Sequence, residues 1–122
     1  MTHQWTVICG VNDIPVLGSR VVRRAPQAGV VPTDVALFRS SEDKIFALLD
    51  RCPHKGGPLS QGIVFGERVA CPMHNWHIEL GSGCAMAPDV GCTQSFSVKV
   101  EHGQVSLDVL ELNAPHKADL SA

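Results

Sequence analysis

The sequence predicts an all-β protein, and three features carry that prediction. Apolar residues alternate with other residues near both ends of the chain, short β-rich runs lie between them, and Gly, Pro, Ser and acidic residues separate the runs. No stretch sustains a helical apolar period over three turns. With 122 residues, of which 44% are hydrophobic, the chain can bury one modest core, so we expect a single domain over residues 1–110.

The first predicted strand lies close to the N-terminus. Its residues alternate between two faces, with Trp5, Val7 and Cys9 on one face and Thr6 and Ile8 on the other. We expect Cys9 to lie in the core, because free cysteine behaves as a small apolar residue.

Three further β-rich runs follow, at 19–25, 34–40 and 44–50. The residues SSEDK at 40–44 separate the last two runs and predict a hairpin connection. These runs complete the first half of the predicted β framework.

A second hairpin is predicted near the C-terminal end. Phe96, Val98 and Val100 alternate with polar residues, His102-Gly103 turns the chain, and the returning face consists of Val105, Leu107 and Val109. The weak patterning of residues 111–122 predicts a mobile tail.

The segment from 51 to about 90 interrupts the β pattern and carries much of the glycine and proline of the chain. We interpret it as a loop-rich subdomain carried on an antiparallel β-sandwich base.

Charge and hydropathy exclude several function classes. The net charge is −2, from 10 basic and 12 acidic residues, and no basic patch indicates nucleic-acid binding. The N-terminal residues do not form a secretory signal, and no apolar run reaches the roughly 18 residues that a membrane-spanning helix needs. We therefore expect a cytoplasmic protein that binds neither nucleic acid nor membrane. In a reducing compartment, five cysteines favour metal binding over a disulfide framework.

Two matched pairs of metal-binding residue types lie inside the 51–90 segment. Cys52 and His54 form a Cys-x-His pair, Cys71 and His74 form a Cys-x-x-His pair, and 16 residues separate the pairs. A coincidence of buried thiols and surface imidazoles is disfavoured by the matched pairs and by the proline that follows each cysteine. Two interpretations remain: a structural zinc site with two Cys and two His ligands, and a [2Fe–2S] centre in which two thiolates hold one iron and two imidazoles hold the other.

The residues between the pairs favour the [2Fe–2S] centre without excluding zinc. Bridging sulfides need backbone N–H donors close by, and Gly56-Gly57-Pro58 together with Gly62 would let the backbone approach closely. A zinc ribbon usually has two tight knuckles and lacks such broad glycine cover.

The pattern C-x-H-x16-C-x2-H, with GGPLSQG after the first pair, resembles the signature of the Rieske domain family. The resemblance implies a [2Fe–2S] cluster whose ligands are Cys52, His54, Cys71 and His74. It also implies a base of two antiparallel sheets, ligand loops at 52–58 and 71–76, and a third loop around Pro88 that closes over the cluster.

Within that superfamily the chain is most similar to the small subunit of bacterial NAD(P)H-dependent nitrite reductases. The similarity rests on DIPVLGSRVV, KIFALLDRCPHKGGPLSQGIVFG and CPMHNW, and above all on Asn75-Trp76. It implies an electron-transfer subunit that works with a large flavin/siroheme subunit to reduce nitrite to ammonia in nitrogen assimilation. Such a subunit would belong to an oxidoreductase, would not be catalytic alone and would supply no catalytic residue.

Two other functions stay open at this point. One is a free-standing Rieske ferredoxin that supplies electrons to an aromatic-ring oxygenase. The other is a zinc-stapled interaction module with no redox role.

The resemblance also carries an expectation about the reduction potential. High-potential Rieske proteins have Ser and Tyr hydroxyls after the second ligand pair and a disulfide between the ligand loops. This chain has Trp76 and Ile78 at the hydroxyl positions, and Gly57 and Met73 at the disulfide positions. We therefore expect a potential near the low end of the Rieske range.

The remaining residues of interest receive plainer interpretations. We predict that Trp76 packs against its loop and that His77 is an ordinary surface histidine. Cys84 and Cys92 could form a disulfide or a second metal site, but no histidine pair accompanies them, and we predict that both are free thiols.

Overall fold

The computed structural model of the chain describes residues 4–23, 33–53, 57–72, 76–87 and 89–113. Its described part contains antiparallel strands in three sheets, two short 3₁₀ helices (Val11–Asp13 and Leu59–Gln61) and one short α-helix. The strands are β1 (Trp5–Gly10), β2 (Ser19–Val22), β3 (Val35–Arg39), β4 (Ile45–Leu49), β5 (Ile63–Phe65), β6 (Arg68–Ala70), β7 (His77–Glu79), β8 (Ser95–Phe96), β9 (Val98–Glu101) and β10 (Gln104–Asp108), and the helix is α1 (Val109–Asn113). The prediction of an all-β fold is confirmed.

Two sheets form the base. One has the strand order β1-β10-β9 and the other β2-β3-β4-β8. Side chains from both sheets meet between them in what we call the base core, whose buried members are Cys9, Ile14, Val35, Leu37, Ile45, Ala47, Leu49, Phe96, Val105 and Leu107. The predicted β-sandwich base is therefore present.

The third sheet, β5-β6-β7, belongs to the predicted subdomain. Its side chains pack with the outer face of β3 and β4 in what we call the subdomain core, whose buried members are Ala36, Phe38, Leu48, Cys52, Leu59, Val64, Val69, Cys71, Ile78 and Leu80. Strand β3 is covered on both faces, which explains why its sequence VALF is continuously apolar and fully buried.

Both predicted hairpin connections are confirmed. In the first, the Ser40 amide donates to the Lys44 carbonyl at 2.9 Å, and the Ser40 hydroxyl oxygen accepts the Lys44 amide at 3.1 Å. In the second, His102 and Gly103 have φ of 52° and 74°, the left-handed pair that a two-residue hairpin turn requires.

Three local features differ from the sequence expectations. The pairing of β1 with β10 shifts register between Val7 and Cys9, so that Ile8 also packs against the base core. Val109 does not continue β10 but begins α1. Strands β5 and β6 form a hairpin inside the segment that we expected to be loop-rich. The sequence did not predict this hairpin, because three-residue strands are too short to show an alternation of apolar and polar residues.

The described chain continues past β10 through α1 and stops at residue 113, so residues 114–122 of the expected tail lie outside it. Glu111 of α1 accepts the Ser97 amide at 2.7 Å and the Ser97 hydroxyl at 2.8 Å, which ties the helix to the strand β8–β9 connection. Within the described residues, no helix has the length and apolar character needed to cross a bilayer.

Candidate metal centre

Each of the two predicted ligand loops is closed by a backbone hydrogen bond of the same type, from the cysteine amide to a carbonyl five residues later. The Cys52 amide donates to the Gly57 carbonyl at 2.8 Å, and the Cys71 amide donates to the Trp76 carbonyl at 2.7 Å. Each bond spans five residues, so each loop folds back on its own cysteine. The predicted ligands His54 and His74 lie within these spans but outside the described residues.

Both loop cysteines are buried and neither is oxidised. Cys52 has 1% and Cys71 has 2% of its surface exposed, neither forms a disulfide, and both belong to the subdomain core. Among the described residues no three potential ligands are grouped together, as expected when both histidines lie outside that set. Two buried thiols on adjoining loops are the soft donors that iron or zinc takes from cysteine.

The first ligand loop is held at its far end by a carboxylate. Asp50, at the end of β4, accepts the Ser60 amide at 2.7 Å and the Ser60 hydroxyl at 2.8 Å. The Ser60 carbonyl in turn accepts the Ser19 hydroxyl of β2 at 2.6 Å. The chain that follows Cys52 is thus hydrogen-bonded to β2 and to the residue after β4, two strands of the sheet β2-β3-β4-β8.

The second ligand loop connects β6 to β7. Ala70 pairs with His77 at the end of this hairpin, and Cys71 follows directly. A Cβ at Gly62 would overlap the Ala70 carbonyl oxygen, so the first loop packs against the strand that delivers Cys71. We expected Gly62 to bring backbone close to a sulfide; the contact that the structure describes is with this strand.

The segment around 85–91 forms the third loop, although Pro88 itself lies outside the described residues. Gly91 has φ of +142°, and a Cβ there would lie 3.2 Å from Pro53 Cβ and 3.9 Å from Trp76 Cζ3. The Met86 amide donates to the His77 carbonyl at 2.8 Å. The third loop therefore contacts both ligand loops.

Cys84 and Cys92 form a disulfide, so the prediction of two free thiols is wrong. The two residues face each other in an isolated antiparallel bridge, with their Cα atoms 3.9 Å apart. This pairing brackets a loop that lacks any strand pattern in the sequence. The only sequence signal for a disulfide was the spacing of eight residues between the two cysteines, with Pro88 between them. That spacing could not show that the chain brings the two cysteines together.

The two residues after the second ligand loop pack into the subdomain. Trp76 is half-buried against the subdomain core, which confirms its predicted packing role. His77 is also half-buried, and its ring meets the Phe65 ring edge to face with centroids 5.0 Å apart. Phe65 and His77 belong to the two outer strands of the β5-β6-β7 sheet, so this ring contact spans β6, and His77 keeps part of its surface exposed.

Two pKa shifts in the described chain have clear physical causes. The Lys44 ammonium lies 3.1 Å from a Glu67 carboxylate oxygen, and the hydrogen bond to Glu67 raises the pKa of Lys44. Burial raises the pKa of the Cys9 thiol. Neither group lies in a ligand loop, so neither bears on the chemistry of the candidate centre.

Comparison with known proteins gives the family. The sequence profile of the Rieske [2Fe–2S] domain matches residues 4–97. Ferredoxin CarAc of Metapseudomonas resinovorans is 28% identical over 106 residues, which cover 86% of this chain and 94% of that protein. The 4beta-methylsterol monooxygenase of Methylococcus capsulatus is 36% identical over 85 residues, covering 61% of this chain and 23% of that protein.

Solved structures agree with this placement. A protein provisionally described as the small subunit of an NADPH nitrite reductase is 27% identical, with a TM-score of 0.68 and coverage of 85% of this chain and 97% of that one. The carbazole 1,9a-dioxygenase oxygenase–ferredoxin complex contains a chain of the same fold, with a TM-score of 0.72, 24% identity and coverage of 88% and 94%.

The length of the matches differs between classes of relative. The chain spans between 14% and 24% of the length of the oxygenase components that it matches, and the share is 24% for the oxygenase component of dicamba O-demethylase from Stenotrophomonas maltophilia. It spans nearly the whole of ferredoxin CarAc. Because the profile match covers most of the chain, the protein belongs to the Rieske [2Fe–2S] domain family, whose domain binds a [2Fe–2S] cluster and transfers electrons.

Proposed function

We propose that the chain is the Rieske electron-transfer subunit of an assimilatory NAD(P)H nitrite reductase, acting with a large flavin/siroheme subunit. The observation that carries this proposal is the likeness to the protein described as an NADPH nitrite reductase small subunit, at 27% identity over 85% of this chain and 97% of that one. The Asn75-Trp76 pair after the second ligand histidine supports it from the sequence side.

We further propose that Cys52 and Cys71 hold one iron and that His54 and His74 hold the other. The burial of both thiols and the matching closure of the two loops support this assignment. A cluster bound in this way accepts and returns one electron at a time. The work of the chain is to hold four ligands at the end of a rigid base and to keep water away from the thiolate side.

The side chains after the second loop support a low potential. Trp76 is half-buried and Ile78 is fully buried, and neither provides a hydroxyl to the ligand sulfurs. Hydrogen bonds to the sulfurs raise the potential of such centres, which as a class lie between roughly −150 and +300 mV. We expect a midpoint near the lower limit, and a midpoint well above zero in protein-film voltammetry would contradict this.

The six-electron reduction of nitrite needs cofactors beyond one single-electron centre. The sequence contains no G-x-G-x-x-G motif for a nicotinamide or flavin. In the proposed assembly the large subunit supplies hydride oxidation and nitrite reduction, and this chain supplies a one-electron site and a docking surface.

A second candidate is a free-standing ferredoxin that reduces an oxygenase. The match to ferredoxin CarAc favours it, because that match extends over 94% of the ferredoxin. The two candidates share the centre and differ only in the partner.

The deciding experiment combines this chain with the flavin/siroheme protein of the same genome. We expect the two to co-purify and the mixture to convert nitrite to ammonium with NAD(P)H faster than the large protein alone. The control is the Cys71→Ser variant, which lacks one proposed cluster ligand. Its co-purification with the large protein is measured in the same way. Failure to associate, together with rapid electron delivery to a Rieske oxygenase component, would establish the ferredoxin role instead.

A further inference from the structure

We propose that Cys84 and Cys92 form a thiol–disulfide exchange site for a dithiol reductant, and that opening this disulfide loosens the third loop over the two ligand loops. This inference goes beyond the proposed function and holds for either partner. It rests on the placement of the disulfide, its accessibility and the contacts of the loop that it closes.

The disulfide lies at the base of the third loop. Two backbone hydrogen bonds flank it: the Ala85 amide donates to the Gly91 carbonyl at 2.8 Å, and the Thr93 amide donates to the Gly83 carbonyl at 2.8 Å. Together with the Cys84–Cys92 bridge they make a very short antiparallel ladder. Two further hydrogen bonds, from the Glu79 amide to the Cys84 carbonyl at 2.9 Å and from the Met86 amide to the His77 carbonyl at 2.8 Å, hold residues 84–86 to β7. The covalent bond therefore acts chiefly on the Gly91 side of the loop, which the two flanking hydrogen bonds alone would hold weakly.

The two cysteines of the disulfide differ in exposure. Cys92 is exposed, whereas Cys84 is half-buried. The Cys84 Sγ lies 3.8 Å from the Ser82 carbonyl oxygen, which can accept a hydrogen bond from the thiol once Cys84 is released. The geometry therefore favours attack on Cys92 and departure of Cys84.

The exchange balances with a dithiol as the two-electron donor. A thiolate of the reductant attacks Cys92 Sγ, the Cys84–Cys92 bond breaks, and Cys84 leaves with the electron pair and takes up a proton. The second thiolate of the reductant then attacks the reductant's first sulfur, which is bonded to Cys92 in the mixed disulfide. This step releases Cys92, which is also protonated. The chain ends with two thiols and the reductant ends as a disulfide.

The closed loop contacts both ligand loops. Gly91 lies near Pro53, which follows Cys52, and near Trp76, whose carbonyl closes the loop that begins at Cys71; a Cβ at Gly91 would lie 3.2 Å from Pro53 Cβ and 3.9 Å from Trp76 Cζ3. The Met86 amide adds a hydrogen bond to the His77 carbonyl. When the disulfide opens, these contacts lose their covalent restraint, and water gains access to the ligand loops.

The short span between the cysteines favours a reversible role over a purely structural one. A sequence separation of eight closes a small loop, and small loops give the least entropic stabilisation in the chain-entropy description of disulfides. Exposed disulfides are also the ones that exchange with solution thiols.

The test uses the protein as purified with its metal centre, kept anaerobic. Dithiothreitol is added at neutral pH, thiols are alkylated and mapped by mass spectrometry, and amide hydrogen exchange is followed over residues 84–92. Release of iron to a chelator is recorded by visible absorbance. We expect dithiothreitol to expose Cys84 and Cys92 to alkylation, to raise exchange in the loop and to speed iron release several-fold, while buried Cys9 stays unlabelled.

The matched control is the Cys84→Ser/Cys92→Ser double variant. It should show fast exchange and fast iron release without reductant, and dithiothreitol should change neither, which separates loop opening from direct attack of the reagent on iron.

Either of two results would overturn the inference. One is a disulfide that survives millimolar dithiothreitol, and the other is a disulfide that opens with no change in loop exchange or iron release. If the protein held zinc or no metal, loop exchange would still decide the question, so failure of the proposed function is distinguishable from failure of this inference.

Discussion

The base and the subdomain share one sheet but are built differently. On the inner face of β3 and β4, the base core is enclosed by strands of four to six residues and the two-residue β8, and it is formed by aliphatic side chains with Phe96 and Cys9. On the outer face, three strands of three residues each enclose a core that includes the thiols of Cys52 and Cys71. Hydrophobic burial dominates the base core, whereas two of the buried residues of the subdomain core are thiols that we propose as metal ligands.

This difference predicts how stability is distributed. Metal binding contributes folding free energy when the ligands come together only in the folded state. We therefore expect the subdomain to depend on its metal centre and the base to be independent of it. Substitutions in each region test whether the subdomain alone depends on the metal centre.

The largest effect is expected from Cys71→Ser. Loss of one thiolate should abolish the iron–sulfur cluster, and hydrogen exchange should then become fast across β5, β6 and β7 while β3 and β4 stay protected. Visible absorbance, iron content and exchange mass spectrometry measure these outcomes.

The matched control is Cys9→Ala, which removes the other free buried thiol, in the base core. It should keep the full cluster content and lower stability only slightly. Uniform loss of protection in both regions after Cys71→Ser would show that the base does not fold independently.

The next largest effects come from neighbouring positions on β3. Leu37 points into the base core and Phe38 into the subdomain core, and both are fully buried. Leu37→Ala should lower the free energy of unfolding by about 2–5 kcal/mol, and Phe38→Ala by about 3–5 kcal/mol. Chemical denaturation followed by circular dichroism measures both.

Only Phe38→Ala should also accelerate iron release to a chelator, because only Phe38 supports the ligand loops. Equal acceleration by both substitutions would mean that the two cores act as one cooperative unit.

A smaller effect is expected from Ser60→Ala. The change removes the hydroxyl that donates to Asp50 and should cost about 1–3 kcal/mol, the range for a hydrogen bond to a charged group. Ser97→Ala is a close match, since Ser97 makes the same two hydrogen bonds to Glu111 in the base. We expect similar shifts in the denaturation midpoint but faster iron release only for Ser60→Ala, and matching release rates would contradict a role for Asp50 and Ser60 in holding the first ligand loop.

The smallest effect is expected from Lys44→Gln. The Lys44–Glu67 pair links the β3–β4 hairpin to the β5–β6 turn, but both side chains are largely exposed. Because the pKa of Lys44 is raised from an ordinary value of 10.5, its contribution is constant near neutral pH and is lost only as the pH rises above that value. Thermal melts of variant and parent should therefore coincide at neutral pH, and a clear difference there would show that this pair holds the subdomain onto the base.

Local sequence information predicted the parts of the fold that local chemistry determines. Alternation gave the long strands, and Ser40, His102 and Gly103 marked turns that the structure confirms. The family resemblance predicted a ligand set, of which the structure describes Cys52 and Cys71 as buried cysteines outside any disulfide.

The features that escaped prediction depend on distant partners. Strands β5 and β6 are too short to show a period and are stabilised by packing on the outer face of β3 and β4. The register shift after Val7 is set by its pairing with β10, and the Cys84–Cys92 disulfide is set by the antiparallel bridge between the two cysteines and the backbone hydrogen bonds beside it. No window of sequence that omits the partner contains this information.

The sheet β2-β3-β4-β8 has a core on each face, so each face can be redesigned separately. Alternate positions of β3 and β4 serve one layer each, so the seat of the subdomain on the sheet consists chiefly of Ala36, Phe38 and Leu48. Placing these three side chains on another antiparallel sheet would reproduce the surface on which the subdomain packs. Val35, Leu37 and Leu49, which face the base core, could then be redesigned to pack on a different second sheet. A redox module could in this way be moved between scaffolds by editing one face of two strands.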